Sequence, residues 1–202
     1  MKDNEHHAAL SRAVSEAEQA CGAEIVVVGY KNADGYLDIV LRNVLAVSLL
    51  ALAVVLVAPI DIEHDFVFPI VSASALVSLW LSRIDAVLKL TSSSARRLRA
   101  IENAVARSFL TRGVHKTRER IGMLVAWFEF EGEVRVLFDS GLEARVPKDV
   151  RARVSASLHA AMLDEAQRAR AVAAIGTTFG PFVPHDVNAA NEIADAVLGG
   201  AA

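Results

Sequence analysis

The sequence predicts an α/β domain that is interrupted by a transmembrane helical hairpin. Two apolar runs, residues 44–60 and 66–82, carry no charged side chain and are separated by five residues. Before them, residues 24–30 form a nearly continuous β-branched run, which is typical of a strand buried on both faces. After them, residues 123–130 and 133–139 are predicted to be two antiparallel strands joined by a tight turn. Because the first strand needs partners for its backbone groups, we expect it to pair with the later strands in one sheet.

The two apolar runs are predicted to cross a lipid bilayer. A helix needs about 20 residues to cross the hydrocarbon layer, so each run must extend, the first into residues 39–41 and the second into residues 84–90. The extensions include Arg42 and Arg83, whose long side chains can reach the headgroup region. A buried hairpin in a soluble core is the alternative, but two such runs in tandem are rare in soluble domains. The first run begins too far from Met1 to be a signal peptide.

The charges around the hairpin predict its orientation. The link between the runs holds Asp61, Glu63 and Asp65 and has no lysine or arginine. Basic residues flank the other end of the hairpin: Lys31, Arg42, Arg83, Lys89, Arg96, Arg97 and Arg99. The positive-inside bias places both chain termini in the cytoplasm, in a two-pass protein of the inner (cytoplasmic) membrane. The residues expected to contact lipid are Val44, Leu49, Val54, Ile60, Phe66, Ile70, Leu76 and Trp80.

Two segments near the hairpin each have two interpretations. The basic residues within 96–99 could contact anionic headgroups, at about 1 kcal/mol per charge near the surface, or form a solvated helix face. Ser74, Ala75 and Ser78 form a small-residue face suited to close helix packing. That face could join copies of the chain in a homo-oligomer, or pack the two hairpin helices against each other.

Composition and charge exclude several classes of function. The chain has 202 residues, and removing the hairpin leaves roughly 150, enough for one soluble domain with a hydrophobic core. Its net charge of −3 gives no basic field that would attract nucleic acid. Cys21 is the only cysteine, so the sequence predicts no internal disulfide and no cysteine metal cluster, in keeping with a reducing compartment.

Helical periodicity predicts the elements on either side of the hairpin. Apolar side chains recur at helical spacing in three segments: Leu10, Ala13, Val14, Ala17 and Cys21; Leu98, Ile101, Val105 and Phe109; and Val150, Val154, Leu158, Ala161 and Met162. Gly22 and Gly113 end the first two helices, and Pro147 begins the third at its favoured first-turn position. A last short helix is expected to begin at Asp186 or Asn188, before a frayed terminal GGAA.

Three segments of the chain resemble the TPM domain family: AEQACGAEIVVV, FLTRGVHKTRERIGMLVAWFEFEGEVRVLFDSGLEARVP and NEIADAV. The family includes thylakoid-lumen photosystem II repair proteins and a regulator of acetylcholine receptors. The resemblance is strongest to its bacterial membrane branch, in which two transmembrane helices interrupt the domain just after the first strand. It covers nearly the whole chain in order, and it implies a TPM-like α/β/α sandwich around a small mixed sheet. It also implies an accessory, assembly or stabilising role for another membrane complex.

This resemblance predicts a chain organised in four parts. Residues 1–36 are the N-terminal part of the TPM-like domain, residues 37–90 are the transmembrane hairpin, residues 91–198 are the C-terminal part, and residues 199–202 are a flexible tail. The expected partners are the lipid bilayer and another membrane protein complex, with a homo-oligomer also possible. No nucleic acid is expected.

The resemblance also implies an alternative, enzymatic function. Some plant members of the family are described as acid phosphatases, with an acidic cluster near the sheet edge that is thought to matter for metal binding or catalysis. Soluble members carry Asp-Asn-Gly before the second strand, whereas this chain has Arg120, Ile121 and Gly122, and the missing aspartate counts against the activity. The candidate catalytic residues are Glu119, Asp139 and His115, with Glu119 and Asp139 also the candidate ligands of Mg²⁺ or Ca²⁺. Other polar residues that remain are Glu18, Glu24 and Thr117.

Strand pairing gives the two carboxylates competing roles. With a hairpin tip at residues 131–132, Asp139 lies opposite about Leu124 and near Glu119, where two carboxylates could bind a hard cation or share a proton. The alternative is structural: Glu119 pairs with Arg118, Arg120 or Arg145, and Asp139 caps a turn with Ser140 and Gly141. The sequence lacks H-E-x-x-H, C-x-x-C and G-x-x-x-x-G-K-[ST] motifs. Together with these absences, the resemblance implies an accessory module for which no cofactor is expected, with a divalent-metal-assisted phosphomonoesterase as the alternative.

Overall fold

The computed structural model describes residues 2–57, 63–117, 119–184 and 198–200. The chain forms two compact units. Unit 1 combines residues 1–34 with residues 100–202, and unit 2 is residues 35–99. Most of the described residues are helical, and together with a small mixed sheet they give an α/β fold.

The helices and strands follow the predicted order, with additional short helices. The helices are α1 (Lys2–Ala20), α2 (Leu37–Val57), α3 (His64–Leu81), α4 (Asp85–Thr91), α5 (Ser94–Thr111), α6 (Ser140–Arg145), α7 (Lys148–Ala161) and α8 (Glu165–Phe179). The strands are β1 (Glu24–Tyr30), β2 (Gly122–Phe128), β3 (Glu133–Phe138) and β4 (Leu198–Gly200), and Val114–Lys116 form a 3₁₀ turn. Ile60, Arg118 and the helix predicted at Asp186 or Asn188 lie outside the described residues, and the predicted tail begins within β4.

The sheet joins the strand before the hairpin to the strands after it. Its order is β3-β2-β1-β4. β1 and β2 are parallel, with Glu24 opposite Gly122 and Tyr30 opposite Phe128, which confirms the predicted pairing. β3 is antiparallel to β2, and β4 is parallel to β1. Because parallel strands need a long crossover connection, the chain between β1 and β2, which includes α2 to α5, serves as that connection.

The turn between β2 and β3 is longer than predicted. β2 ends at Phe128, which pairs with Glu133, so residues 129–132 connect the strands instead of residues 131–132 alone. As a result, the Asp139 backbone N–H donates to the carbonyl of Gly122 at 2.8 Å. The predicted position of Asp139 opposite Leu124 is therefore wrong.

Backbone hydrogen bonds to the end of β1 account for this longer turn. The N–H of Glu129 donates to the carbonyl of Tyr30 at 3.0 Å, and the N–H of Phe130 donates to the carbonyl of Lys31 at 2.8 Å. Two consecutive donors thus point toward β1, and the chain leaves the β3 ladder two residues before the expected tip. Gly132 closes the turn with a positive φ of 68°, a conformation that glycine adopts without steric cost.

One face of the sheet is covered by α1, α7 and α8. Side chains that alternate along β1 and β2 point to this face and are almost fully buried: Ile25, Val27, Met123 and Val125. Burial of each such side chain contributes about 1.5–3 kcal/mol. On α8, a Cβ at Gly176 would lie 2.6 Å from the carbonyl oxygen of Ala17 in α1. Glycine at this position therefore allows α1 and α8 to pack closely.

The opposite face of the sheet carries Tyr30, and α5 lies against it. The Tyr30 hydroxyl shares a hydrogen bond with the Ser108 hydroxyl of α5, and the Tyr30 ring stacks on Phe128 with ring centroids 5.2 Å apart. The buried residues of α5 recur at helical spacing: Ala100, Ile101, Ala104, Val105 and Ser108. Helices thus lie on both faces of the sheet in unit 1.

Unit 2 is built on a helical hairpin, in which α2 packs against α3. The two helices have 21 and 18 residues, which correspond to about 31 Å and about 27 Å at 1.5 Å per residue. Both are long and apolar enough to cross a membrane by length and composition, and the apolar window of each is only 6% buried. Their apolar side chains therefore project outward from the hairpin.

The second apolar helix does not extend into residues 84–90, so that prediction is wrong. The N–H of Arg83 donates to the carbonyl of Trp80 at 3.1 Å, and the N–H of Ile84 donates to that of Leu81 at 3.0 Å. These i→i+3 bonds tighten the last turn and end α3. A separate helix, α4, then begins at Asp85. The first helix does include the predicted extension, since α2 begins at Leu37.

Candidate functional site

Asp139 is buried and already has partners for its carboxylate. Its side chain is 3% exposed and caps the N-terminus of α6, accepting from the Ser140 N–H at 2.7 Å. Nε of Arg120 lies 3.1 and 3.0 Å from its two carboxylate oxygens. Capping is the structural role that the sequence predicted for Asp139 as the alternative to metal binding, and Ser140 donates the capped N–H.

Glu119 is bound to a different arginine. Its Oε2 accepts from Arg145 at 2.7 Å, and both side chains are about half exposed. An exposed pair of this kind contributes about 0–1 kcal/mol. Of the predicted partners of Glu119 that the structure describes, Arg145 is bound to it and Arg120 is bound to Asp139, whereas Arg118 lies outside the described residues. The two carboxylates are held by separate cations.

The backbone between these carboxylates is tightly fixed. Arg120 has a positive φ of 58°, and its carbonyl accepts from the N–H of Gly141 at 2.9 Å. A Cβ at Gly141 would lie 2.1 Å from the carbonyl oxygen of Glu119, so only glycine allows α6 to approach this turn. The backbone of residues 119–120 thus packs directly against the first turn of α6.

His115 lies in the 3₁₀ turn that precedes residues 119–120, and Thr117 directly follows that turn. The His115 ring is tilted against Phe109 at a centroid distance of 6.3 Å. Within the described residues, the His115 Nδ1 and Thr117 Oγ1 atoms are buried without a hydrogen-bond partner. Glu18 accepts from the Ile25 N–H at 2.9 Å. No group of three or more His, Cys, Asp or Glu side chains among the described residues could hold a metal ion.

A polar cluster at the open end of the α2–α3 hairpin was missed by the sequence analysis. Arg96 of α5 donates to both carboxylate oxygens of Asp38 in α2, at 3.0 and 3.1 Å, and its guanidinium lies 5.5 Å from the Tyr36 ring centroid. Asn43 donates to the Thr91 hydroxyl at 3.0 Å and to the Ser82 hydroxyl at 3.4 Å. We refer to Asp38, Asn43, Ser82, Thr91 and Arg96 as the hairpin-base cluster.

Other arginines near this cluster bind backbone carbonyls. Arg42 donates to the carbonyl of Thr91. Nη1 of Arg97 donates to the carbonyl of Ser92 at 2.8 Å and to that of Lys89 at 3.0 Å. These contacts connect the C-terminal part of α4 to α2 and α5. The sequence contained a signal for this cluster: Asp38 and Arg42 are four residues apart, at helical spacing, and Asn43 follows directly, just before an apolar run.

The residues predicted to contact lipid are largely exposed in unit 2. Leu49, Val54, Phe66, Leu76 and Trp80 are 55–67% exposed, and Ile70 is 38% exposed. Val44 is half-buried. In contrast, Ser78 is 4% exposed and lies on the small-residue face of α3. Its burial within unit 2 favours packing of α3 on α2 over contact with a second copy of the chain.

No protein-family model and no curated protein matches this sequence. Among solved structures, the chain is similar to the NMR structure of the BA42 protein from the psychrophilic bacterium Bizionia argentinensis sp. nov.. The TM-score is 0.57 at 12% sequence identity, and the match covers 97% of this chain and 93% of that chain. At this identity, the similarity shows a common fold and carries no information about activity.

Proposed function

We propose that this protein is a membrane-anchored TPM-like domain that acts as an accessory, assembly or stabilising module for another membrane complex. The α2–α3 hairpin spans the inner membrane, and an α/β/α sandwich interrupted by that hairpin lies on the cytoplasmic side. The observation that carries the proposal is the 6% burial of the apolar windows of α2 and α3.

The hydrophobic effect supplies the physical reason. Burial of one large apolar side chain is worth about 1.5–3 kcal/mol, and α2 and α3 together leave many such side chains exposed. Soluble monomers rarely expose apolar patches larger than a few hundred Å². A bilayer covers this surface, and a helical hairpin satisfies its backbone groups internally, as a span requires.

The charges support one orientation of the hairpin. The acidic residues Glu63 and Asp65 lie at the tip, whereas Arg42, Arg83 and Lys89 lie near the open end. The positive-inside bias then places the open end in the cytoplasm. The hairpin-base cluster lies at the same end, where its polar groups would be close to headgroups and water.

The carboxylate geometry favours an accessory module over a phosphatase. Both oxygens of Asp139 are within hydrogen-bond distance of Arg120 Nε, so a divalent cation at Asp139 would face a fixed positive charge. Glu119 is paired with Arg145. The role in another complex rests on the resemblance to the TPM domain family.

Cysteine labelling tests the orientation. The native Cys21 is fully buried, and burial raises the pKa of its thiol, so it gives little background and can be replaced in a Cys21→Ala parent. In intact cells, Glu63→Cys should react with a membrane-impermeant maleimide. The control Ser93→Cys, an exposed residue at the open end, should react only after lysis. The reverse pattern would overturn the orientation.

Site-specific crosslinking tests the partner. A photoreactive amino acid at Leu76, which is 67% exposed, should give one discrete adduct with a different membrane protein. The control position is Ser78, which is 4% exposed and should give no such adduct. An adduct of twice the chain mass would indicate a homo-oligomer, and no protein adduct from any exposed hairpin position would contradict the accessory role.

A further inference from the structure

α4 is a short helix of unit 2 that is separated from α3 by an extended residue. Ile84, directly before α4, has φ −81° and ψ 122°, and Ser92, directly after it, is extended as well. α4 packs against α2, and its side chains Val87 and Leu88 are half-buried. The segment predicted as the end of the second span is therefore an independent element, and its own contacts determine where it lies.

Hydrogen bonds place the C-terminal end of α4 beside the start of the apolar part of α2. Asn43 donates to the Thr91 hydroxyl at 3.0 Å and to the Ser82 hydroxyl at 3.4 Å, so α3 and α4 both meet α2 at this residue. The uncharged run of α2 begins one residue later. Because that run supplies the apolar residues that a span needs, Asn43 and Thr91 lie at the boundary between acyl chains and headgroups when the hairpin crosses a bilayer.

The outward face of α4 has an apolar edge and a charged edge. Leu90 is 86% exposed, the largest exposed fraction of any large apolar side chain among the described residues, and Ala86, one turn before it, is also exposed. Asp85 and Lys89 are exposed one turn apart and lie next to this pair, because successive residues of a helix are about 100° apart. An apolar edge beside a charged edge is typical of helices that lie in the membrane interface.

Two carbonyl groups in the last turn of α4 are bonded by arginine side chains. Arg42 donates to the Thr91 carbonyl, and Arg97 donates to the Lys89 carbonyl at 3.0 Å. The last carbonyls of a helix have no partner within it, and at an exposed helix end water can satisfy them. Arginine donors satisfy these groups without water, which suits a helix end at the edge of the hydrocarbon layer.

The charge of this part of unit 2 favours anionic lipid. Between residues 83 and 99 the chain has a single acidic side chain, Asp85, and five basic ones: Arg83, Lys89, Arg96, Arg97 and Arg99. Each basic residue near an anionic bilayer surface strengthens binding roughly fivefold. Arg83 is exposed directly before α4, and Lys89 is exposed on its charged edge. The charge excess therefore lies beside the apolar edge of the same helix.

We propose that α4 is an interfacial helix that binds anionic phospholipid in the leaflet at the open end of the hairpin. Ala86 and Leu90 contact the upper part of the acyl chains, and Arg83 and Lys89 contact the phosphate groups. The inference rests on the proposed membrane span, because a hairpin outside a bilayer would leave α4 in water. It adds a lipid class and a second membrane contact to that span.

Depth-dependent quenching of the full-length protein in vesicles tests the proposal. The dye NBD is attached to Leu90→Cys in the Cys21→Ala parent, and the vesicles contain phosphatidylcholine with about 30% phosphatidylglycerol, an anionic lipid. A lipid nitroxide close to the headgroups should quench this dye more strongly than a nitroxide near the acyl-chain ends. Asp85→Cys, on the charged edge of the same helix, is the matched control and should be quenched less by both. Leu50→Cys, near the middle of α2, reports the span and should be quenched most by the deep nitroxide.

The outcomes separate this proposal from the proposed span. If the dye at Leu50 is quenched and the dye at Leu90 is quenched no more than the dye at Asp85, the span holds and the interfacial role of α4 is wrong. A dye at Leu90 that neither lipid nitroxides nor aqueous iodide quench would indicate contact with a second copy of the chain, and would also overturn the proposal. No quenching at Leu50 would contradict the span itself, and this inference would fall with it.

Charge substitutions test the preference for anionic lipid. Quenching at Leu90 by the shallow nitroxide should fall in vesicles of phosphatidylcholine alone. It should fall similarly when Arg83→Gln and Lys89→Gln are combined, because each lost charge weakens binding to an anionic surface roughly fivefold. The control combines Lys148→Gln with Arg153→Gln, which removes two exposed basic side chains of α7 and should leave the quenching unchanged. Equal quenching in both kinds of vesicle, unaffected by the substitutions at residues 83 and 89, would contradict the proposal.

Discussion

Leu158 of unit 1 and Leu76 of unit 2 are identical side chains on helices of similar length, yet the first is fully buried and the second is 67% exposed. Unit 1 places its apolar side chains between helices and a sheet, and among its described residues four large apolar side chains are exposed: Leu110, Leu137, Leu163 and Phe182. Unit 2 places them outward along α2 and α3 and gathers its polar contacts at the hairpin base. The comparison shows that a high apolar content is used for a core in one unit and for an outer surface in the other.

Truncation of these two leucines should give the largest contrast. Leu158→Ala should lower the free energy of unfolding of unit 1 by about 2–5 kcal/mol, because it leaves a cavity in the core. Leu76→Ala should change it by less than about 0.5 kcal/mol in detergent. Urea unfolding of a Trp80→Phe variant, in which Trp127 is the only tryptophan, measures unit 1 directly through Trp127 fluorescence. Similar losses from both variants would show that α3 contributes to the stability of unit 1.

A charge placed on the outer surface of α2 should act through the bilayer instead. Leu50 and Leu37 are each 65% exposed, but Leu50 is near the middle of α2 and Leu37 is its first residue. Leu50→Arg should cost about 2.5–3.5 kcal/mol of insertion free energy, whereas an arginine at the end can reach the headgroups. Carbonate extraction of membranes should therefore release Leu50→Arg and retain Leu37→Arg. Equal retention of both would argue against the proposed span.

The pairing of β1 with β2 could be predicted because it follows from the local sequence of each strand. A continuous apolar strand has unpaired backbone groups, and the only other predicted strands lay beyond the hairpin. The register of β3 could not be predicted in the same way. It depends on the bond from Phe130 to Lys31, and these residues are brought together only by the sheet itself.

The side-chain sites show the same limit. Asp38 and Arg96 are 58 residues apart in the chain, so no local spacing reveals this pair. Glu119 and Arg145 are 26 residues apart, and the sequence could only name Arg145 as one of three candidate partners. The cap on α6 is different, because Asp139 and Ser140 are adjacent. Trp127 lies within a segment predicted only as a strand, so nothing in the local sequence indicated its contact with Arg168.

Substitutions in the hairpin-base cluster should have a smaller effect on the stability of unit 2. Asp38 is 54% exposed and Arg96 is 28% exposed, so their bidentate pair should have a coupling free energy of about 0.2–1 kcal/mol. A double-mutant cycle with Asp38→Asn and Arg96→Gln measures this coupling from proteolysis rates at the open end of the hairpin. Arg99→Gln, an exposed arginine on the same helix, is the control and should leave the rate unchanged. Additive effects of the two substitutions would show that the pair does not couple α2 to α5.

The smallest expected effect concerns phosphate ester hydrolysis, for which we predict no measurable activity. Such a reaction needs positive charge around the phosphoryl oxygens, from a metal ion or from free arginine and lysine side chains. In unit 1, Arg120 is bound to Asp139 and Arg145 is bound to Glu119, so these cations neutralise the carboxylates that would hold a metal. The purified protein should hydrolyse p-nitrophenyl phosphate no faster than a Glu119→Gln, Asp139→Asn double variant, with or without Mg²⁺ or Ca²⁺. After the Asp139→Asn substitution, the side-chain amide oxygen can still accept from the Ser140 N–H, so the variant should keep the α6 cap. Robust hydrolysis by the natural protein that is lost in the variant would favour the enzyme over the accessory module.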